Sequence, residues 1–121
     1  MDKLSMDSLH DLILDWAHAR NLIDGGDSKT QCLKLISEAG ELADDLIKGG
    51  SVQDSIGDCI VVLSILAAQH GTSLEECMAV AYEDIKDRTG VLLDGVYIKS
   101  SDPEYDTAVS TIAARGIRRS S

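Results

Sequence analysis

Apolar residues recur at helical spacing through most of this chain and then change period near its end. Leu9, Leu12, Ile13, Trp16 and Ala17 share one face, with His10, Asp11, Asp15 and His18 on the others. This predicts a first helix over 9–23, broken by Asp24-Gly25-Gly26-Asp27. Ser28 with Gln31 has the spacing of a capping box and opens a second helix reaching about Lys48. Leu35, Ala39, Leu42 and Leu46 form its apolar stripe, widened by Cys32, Ile36, Ala43 and Ile47. Gly49-Gly50 ends it. Ser51 caps a third helix to about His70, whose centre, Ile60 to Ala68, is apolar nearly all round except at Ser64. Such a helix is expected to be buried on most sides. Gly71 stops it, and Ser73 with Glu76 opens a fourth helix running to about Arg88.

Beyond Gly90 the period shortens. Val91 to Leu93 and Val96 to Ile98 flank Asp94-Gly95, a strong signal for a β-hairpin. After Pro103, the weakly apolar segment Tyr105 to Ile117 is a short helix or an arm covering a partner subunit. The expectation is an all-α domain of four helices with a small C-terminal hairpin over 1–103, followed by a tail or arm over 104–121.

Composition narrows this reading. A chain of 121 residues is one domain. It buries only about two-thirds of its unfolded surface, so homo-oligomers, dimers or tetramers, are expected. Without Phe and with one Trp, the core must be built from Leu, Ile, Val and Ala. A net charge of -10 disfavours a nucleic-acid surface, and Arg115, Arg118 and Arg119 fall in the last stretch. Cys32, Cys59 and Cys77 sit in apolar helical patterns without zinc-finger spacing. They are expected to be reduced, buried thiols of a cytoplasmic protein. The N-terminal stretch has no apolar signal core, and Cys59 to Ala68 is shorter than the roughly 20 residues of a bilayer span. No membrane partner is expected.

The candidate chemistry lies on the second and third helices. Glu38 and Glu41 share one face, with Lys34 and Asp45 a turn to either side. Asp54 and Asp58 share a face of the next helix. A short Gly49-Gly50 connection packs such helices antiparallel, which brings the two acidic pairs to similar height. Unpaired carboxylates beside an apolar core repel. A hard divalent cation such as magnesium or manganese relieves that conflict. Exposed acidic stripes are the commoner outcome of such spacing. Two features favour a site: Asp58 directly precedes the most apolar run, and Gly57 is a poor helix residue that a close helix contact or ligand approach would explain.

The run Lys34-Leu35-Ile36-Ser37-Glu38-Ala39-Gly40-Glu41-Leu42-Ala43, followed by Asp54-Ser55-Ile56-Gly57-Asp58, resembles the MazG-like all-α NTP pyrophosphohydrolases, in particular short phage-type members. The resemblance extends from Trp16 to about Lys99. It implies hydrolysis of a nucleoside triphosphate between its α and β phosphates, with magnesium or manganese as cofactor, in the host cytoplasm for a phage protein. Glu38, Glu41 and Asp58 match the family's metal positions. The fourth falls on Ser55, and Asp54 is expected to substitute, directly or through a water. Glu38 or Glu41 would orient or deprotonate the attacking water. Lys34, Lys86 and Arg88 are candidate phosphate partners, and Trp16, Arg20 and Asn21 are candidate base contacts, leaning to a purine such as dGTP. Asn21 has a second reading as the cap of the first helix. A non-catalytic helical interaction module is the alternative. A di-iron bundle is disfavoured because His10, His18 and His70 lack a Glu three residues before them, and no Gly-x-x-x-x-Gly-Lys phosphate loop occurs. The histidines read as surface residues.

Overall fold

A computed structural model describes the backbone of residues 3–120 and the side-chain surroundings of 3–116; Arg118 and Arg119 of the basic tail lie outside the latter. The chain is mostly helical with one hairpin: α1 (Met6–Ala19), α2 (Ser28–Lys48), α3 (Val52–Gln69), α4 (Leu74–Ile85), β1 (Gly90–Leu93), β2 (Val96–Lys99) and α5 (Tyr105–Ser120). It divides into two compact units, Met1–Val80 and Ala81–Ser121.

In the first unit, α3 packs against both α1 and α2. Ala17, Ile23 and Ile65 form the core cluster, with Leu14, Leu22, Val61 and Ala68 packed on it. Helix α1 starts earlier than the apolar pattern suggests, because the Ser5 hydroxyl accepts the Ser8 amide and caps it. It also stops earlier. Asn21 takes a left-handed conformation at φ 57°, and the amides of Asn21 and Leu22 bond back to His18 and Ala17. That is a Schellman termination with Asn in the glycine position. Leu22 and Ile23 therefore lie in a turn, which the Gln69 side chain ties to α3 by donating to the Leu22 carbonyl at 3.2 Å.

The cap of α2 lies one residue before the expected Ser28–Gln31 box. The Asp27 carboxylate accepts from the amides of Lys29 and Thr30 and from the Thr30 hydroxyl; a carboxylate at this position is also favoured by the helix dipole. These bonds hold the Asp27 carboxyl below its ordinary range, the Thr30 hydroxyl contributing most. Gly49 closes α2 at φ 79°, where a side chain would be strained. Ser51 caps α3 as expected, accepting the Asp54 amide.

The predicted fourth helix forms, but α4 buries none of its residues. Nor does α3 bury itself on most sides: Ile56, Ile60 and Leu63 are exposed. The cysteines correct a further expectation, since Cys32 and Cys77 are exposed and Cys59 is half-buried. One cause is common to α2 and α3: within the single chain each is covered on part of its apolar circumference. By length and composition α3 would suit a bilayer, but its buried positions, among them Ser55, Val62, Ser64 and Ile65, belong to a helix that packs on α1 and α2.

In the second unit, β1 and β2 pair antiparallel with Leu93 opposite Val96. Asp94 and Gly95 both have positive φ, 49° and 81°, the two-residue turn whose twist matches the strands. The segment read as a short helix or an arm is the helix α5, which packs on this hairpin and buries Ala108. Arg115 reaches Asp94 with both guanidinium nitrogens, at 2.7 and 3.3 Å.

Candidate metal centre

Helix α2 presents Gln31, Leu35, Glu38, Leu42 and Asp45 as its buried or half-buried stripe, and α3 is the helix that packs on it. A glutamate therefore occupies an interior position between Leu35 and Leu42. Glu38 is 7% exposed. One carboxylate oxygen each from Glu38, Glu41 and Asp58 lies within 4.8 Å of the other two. Glu38 is buried, Asp58 half-buried and Glu41 exposed, so the cluster opens from the helix pair toward solvent on the Glu41 side.

Its electrostatics are unrelieved. The Lys34 ammonium meets Glu38 Oε1 at 3.1 Å, but Glu38 Oε2 is enclosed with no hydrogen-bond partner. The Lys34 bond, more than any other contact, draws the Glu38 carboxyl below its ordinary range. Glu41 moves the other way: its contact with Glu38 raises it, and the Asp58 charge adds to the effect. Asp58 is also raised, chiefly by burial and then by Asp54 and Glu38. Among the described residues, one cation, Lys34, thus faces three converging carboxylates, with a fourth, Asp54, close enough to be felt.

Of the four acids expected to hold a metal, the structure brings Glu38, Glu41 and Asp58 together. Asp54 lies outside the group of three that converges within 4.8 Å and acts on it as a neighbouring charge. Ser55 is 3% exposed, and its hydroxyl donates to the Asp45 carboxylate. That bond fastens α2 to α3 below the acidic cluster. The sequence reading passed over this pair; its signal was Asp45 continuing the Glu38 stripe, seven residues on.

Asp58 also borders two grooves between α1 and α3. One, of about 350 Å³, is lined by Leu9, Leu12, Ile13, Trp16 and Val61 beside Asp58. The other, of about 340 Å³, is lined in part by Leu9, His10, Ile13, Asp54, Gly57 and Asp58. Trp16 is thus a groove wall, 44% exposed, rather than core filler. The Arg20 guanidinium lies over its ring at 4.6 Å and donates to the Trp16 carbonyl. Asn21 performs the helix termination described above, with its side chain against Gly25. His10, which reads as a surface residue, is half-buried with an enclosed, unpartnered Nε2. The space around Gly57 is open, so no helix contact among the described residues accounts for it. Of the candidate phosphate partners, Lys34 belongs to the cluster. Lys86 and Arg88 lie in the second unit, where they pair with Glu83 at 2.8 Å and Asp84 at 2.7 Å.

No family model matches the chain, and no solved structure matches it. Over 60 residues it is 43% identical to an uncharacterized 18.2 kDa protein from the rep-hol intergenic region of Haemophilus phage HP1. The aligned stretch is 48% of this chain and 37% of that protein. The chain thus spans little more than a third of the length of this phage relative.

Proposed function

We propose that this chain is a MazG-like nucleoside triphosphate pyrophosphohydrolase of phage type, acting in the host cytoplasm. The observations that carry the reading are the convergence of Glu38, Glu41 and Asp58 and the buried Glu38 Oε2 with no donor among the described residues. The residues fit a hard divalent cation. The donor set is all oxygen, the carboxylates repel one another, and an enclosed anionic oxygen lacks a partner that a cation would provide.

Glu38, Glu41 and Asp58 would hold magnesium or manganese, with Asp54 at the margin acting directly or through a water. Held by these residues, such a cation would supply charge neutralisation at phosphate oxygens and a lowered pKa for a bound water. The chain's own residues divide the remaining work. Glu38, anchored by Lys34, is the fixed member. Glu41 is the exposed member of the three, which suits it to reach and orient the attacking water. Attack at the α phosphorus breaks its bond to the bridging oxygen and releases monophosphate and pyrophosphate. The groove walled by Leu12, Ile13 and Trp16 beside Asp58 suits an apolar base face, with Arg20 stiffening the indole. A purine nucleotide such as dGTP is the favoured substrate.

Product analysis tests this. The protein is incubated with each canonical NTP and dNTP plus magnesium or manganese, and the nucleotides are separated by ion exchange. Monophosphate and pyrophosphate appearing together, dependent on metal and lost in Glu41→Gln, is the expected result. Diphosphate with orthophosphate would show that a different bond is cut. No turnover of any nucleotide would favour the helical interaction module.

A further inference from the structure

The two oxygens of the buried Glu38 carboxylate are in different states. Oε1 meets the Lys34 ammonium at 3.1 Å, whereas Oε2 is enclosed with no hydrogen-bond partner. The other ion pairs among the described residues, Lys86 with Glu83, Arg88 with Asp84 and Arg115 with Asp94, all lie in the second unit. Support of the helix does not account for the Lys34–Glu38 pair. Lysine four residues before glutamate is the weaker of the two orders on a helix. The pair also joins a lysine side chain that is 59% exposed to a glutamate side chain that is 9% exposed, so the charge that loses its water is the carboxylate.

We propose that Lys34 is a positioning residue that sets which divalent cation the site accepts: by holding Glu38 Oε1 it confines Glu38 to ligation through Oε2 alone, which favours magnesium or manganese over calcium. This rests on the metal centre proposed above and adds to it the selection of the ion. Calcium takes about 6–8 oxygens, often from carboxylates that bind through both. Magnesium demands a tighter octahedron, which a few carboxylate oxygens and retained waters complete. Glu38, Glu41 and Asp58 converge with one oxygen each, which leaves room for water and phosphate oxygens on a small ion and falls short of a calcium shell. Glu38 is the buried member of the three, so its carboxylate is not free to turn in solvent. A cation that reached for Oε1 as well would approach the Lys34 ammonium, and like charges repel most strongly where water is excluded.

The test reads metal binding by the full chain and uses no nucleotide. Manganese is titrated by electron paramagnetic resonance, and calcium is measured by competition against it. The wild type is expected to prefer manganese at least about ten-fold. Lys34→Met keeps the aliphatic stem and removes the ammonium; it is expected to narrow that preference at least about ten-fold. Loss of a nearby positive charge strengthens the binding of every divalent cation, and damage to the helix weakens it for all of them. The ratio of the two affinities is therefore the readout, since neither effect moves it. Lys34→Arg returns a cation to Oε1 and is expected to restore the ratio. Should Lys34→Met fail to fold by far-UV circular dichroism, Lys34→Gln, also uncharged, takes its place with the same expectation. An unchanged ratio in the uncharged variant, or one that Lys34→Arg leaves narrowed, would overturn the role of Lys34 and leave the metal centre standing. So would equal affinity of the wild type for both ions. No binding of manganese by the wild type would overturn the metal centre and this inference with it.

Discussion

The acidic cluster of α2 and α3 and the turn of the hairpin each place carboxylates close to neighbouring groups, with opposite results. At the hairpin, Asp94 occupies a tight turn and receives a two-pronged contact from Arg115, which draws its carboxyl below the ordinary range. Charge and backbone geometry there serve one end, fixing α5 to the strands. Between α2 and α3, Glu41 is pushed above the ordinary range by Glu38, burial and Asp58, and Asp58 by burial, Asp54 and Glu38. The Asp94 carboxylate is matched within the chain; on the function proposed above, Glu41 and Asp58 are matched by the bound cation.

The sharpest way to break this contrast is to neutralise Glu41. Glu41→Gln is expected to reduce metal-dependent nucleotide hydrolysis by about a thousand-fold or more, measured as pyrophosphate release. Retention of activity would place the chemistry elsewhere.

Next comes Asp58→Asn. If Asp58 is an unmatched charge, removing it raises the Tm of the metal-free protein while abolishing the further rise that magnesium or manganese gives the wild type. Differential scanning calorimetry with and without metal reads both. A variant less stable than wild type in chelator would show that Asp58 is instead a structural partner.

The pH dependence carries the contrast in its sign. Glu41 and Asp58 have folded-state values above their unfolded ones. Their contribution to stability is therefore complete below the ordinary carboxylate value of about 4 and is lost as pH rises through the raised folded values. Asp94 has a depressed value, so its contribution is present above about 4 and is lost as pH falls through the folded value. In chelator, the stability difference between wild type and Asp58→Asn should grow less favourable to wild type on the alkaline side of that range. The difference between wild type and Asp94→Asn should vanish on the acid side. Denaturant midpoints across pH, taken for both pairs, test it; slopes of the same sign would erase the distinction between the two regions.

The smallest effect is expected at Asp94 itself. Its pair with Arg115 is exposed and shielded by salt. Asp94→Asn keeps a residue that tolerates positive φ, so it should loosen α5 from the hairpin only slightly, detectable as faster amide exchange in α5 at low ionic strength and not at high.

How much of this was legible in the sequence differs from residue to residue. Asp94-Gly95 announced its turn because only residues tolerant of positive φ fit it. Ser51 and Gly49 announced the helix ends for equally local reasons. Glu38, Glu41 and Asp58 were legible as faces of helices, since spacing fixes which side chains share a side. The cap at Asp27 was not, because Asp27 and Ser28 are both good caps and only the backbone conformation chooses between them. The partner of Ser55 was not either: Asp45 and Ser55 lie ten residues apart across a turn, and their bond depends on how α2 seats on α3.

The sequence by itself determined the kinds of element, their order and the faces on which chemistry falls, because periodicity, capping and turn conformation act within a few residues. Only the tertiary structure decided which carboxylates meet and which stay apart, leaving Asp54 outside the three that converge. It also decided which part of α2's wide apolar arc turns inward. Leu35 and Leu42 are no more apolar than Ile36 and Ile47, so the pattern admits either stripe. Inside this chain α3 seats against the stripe that carries Glu38, and the other stripe remains exposed.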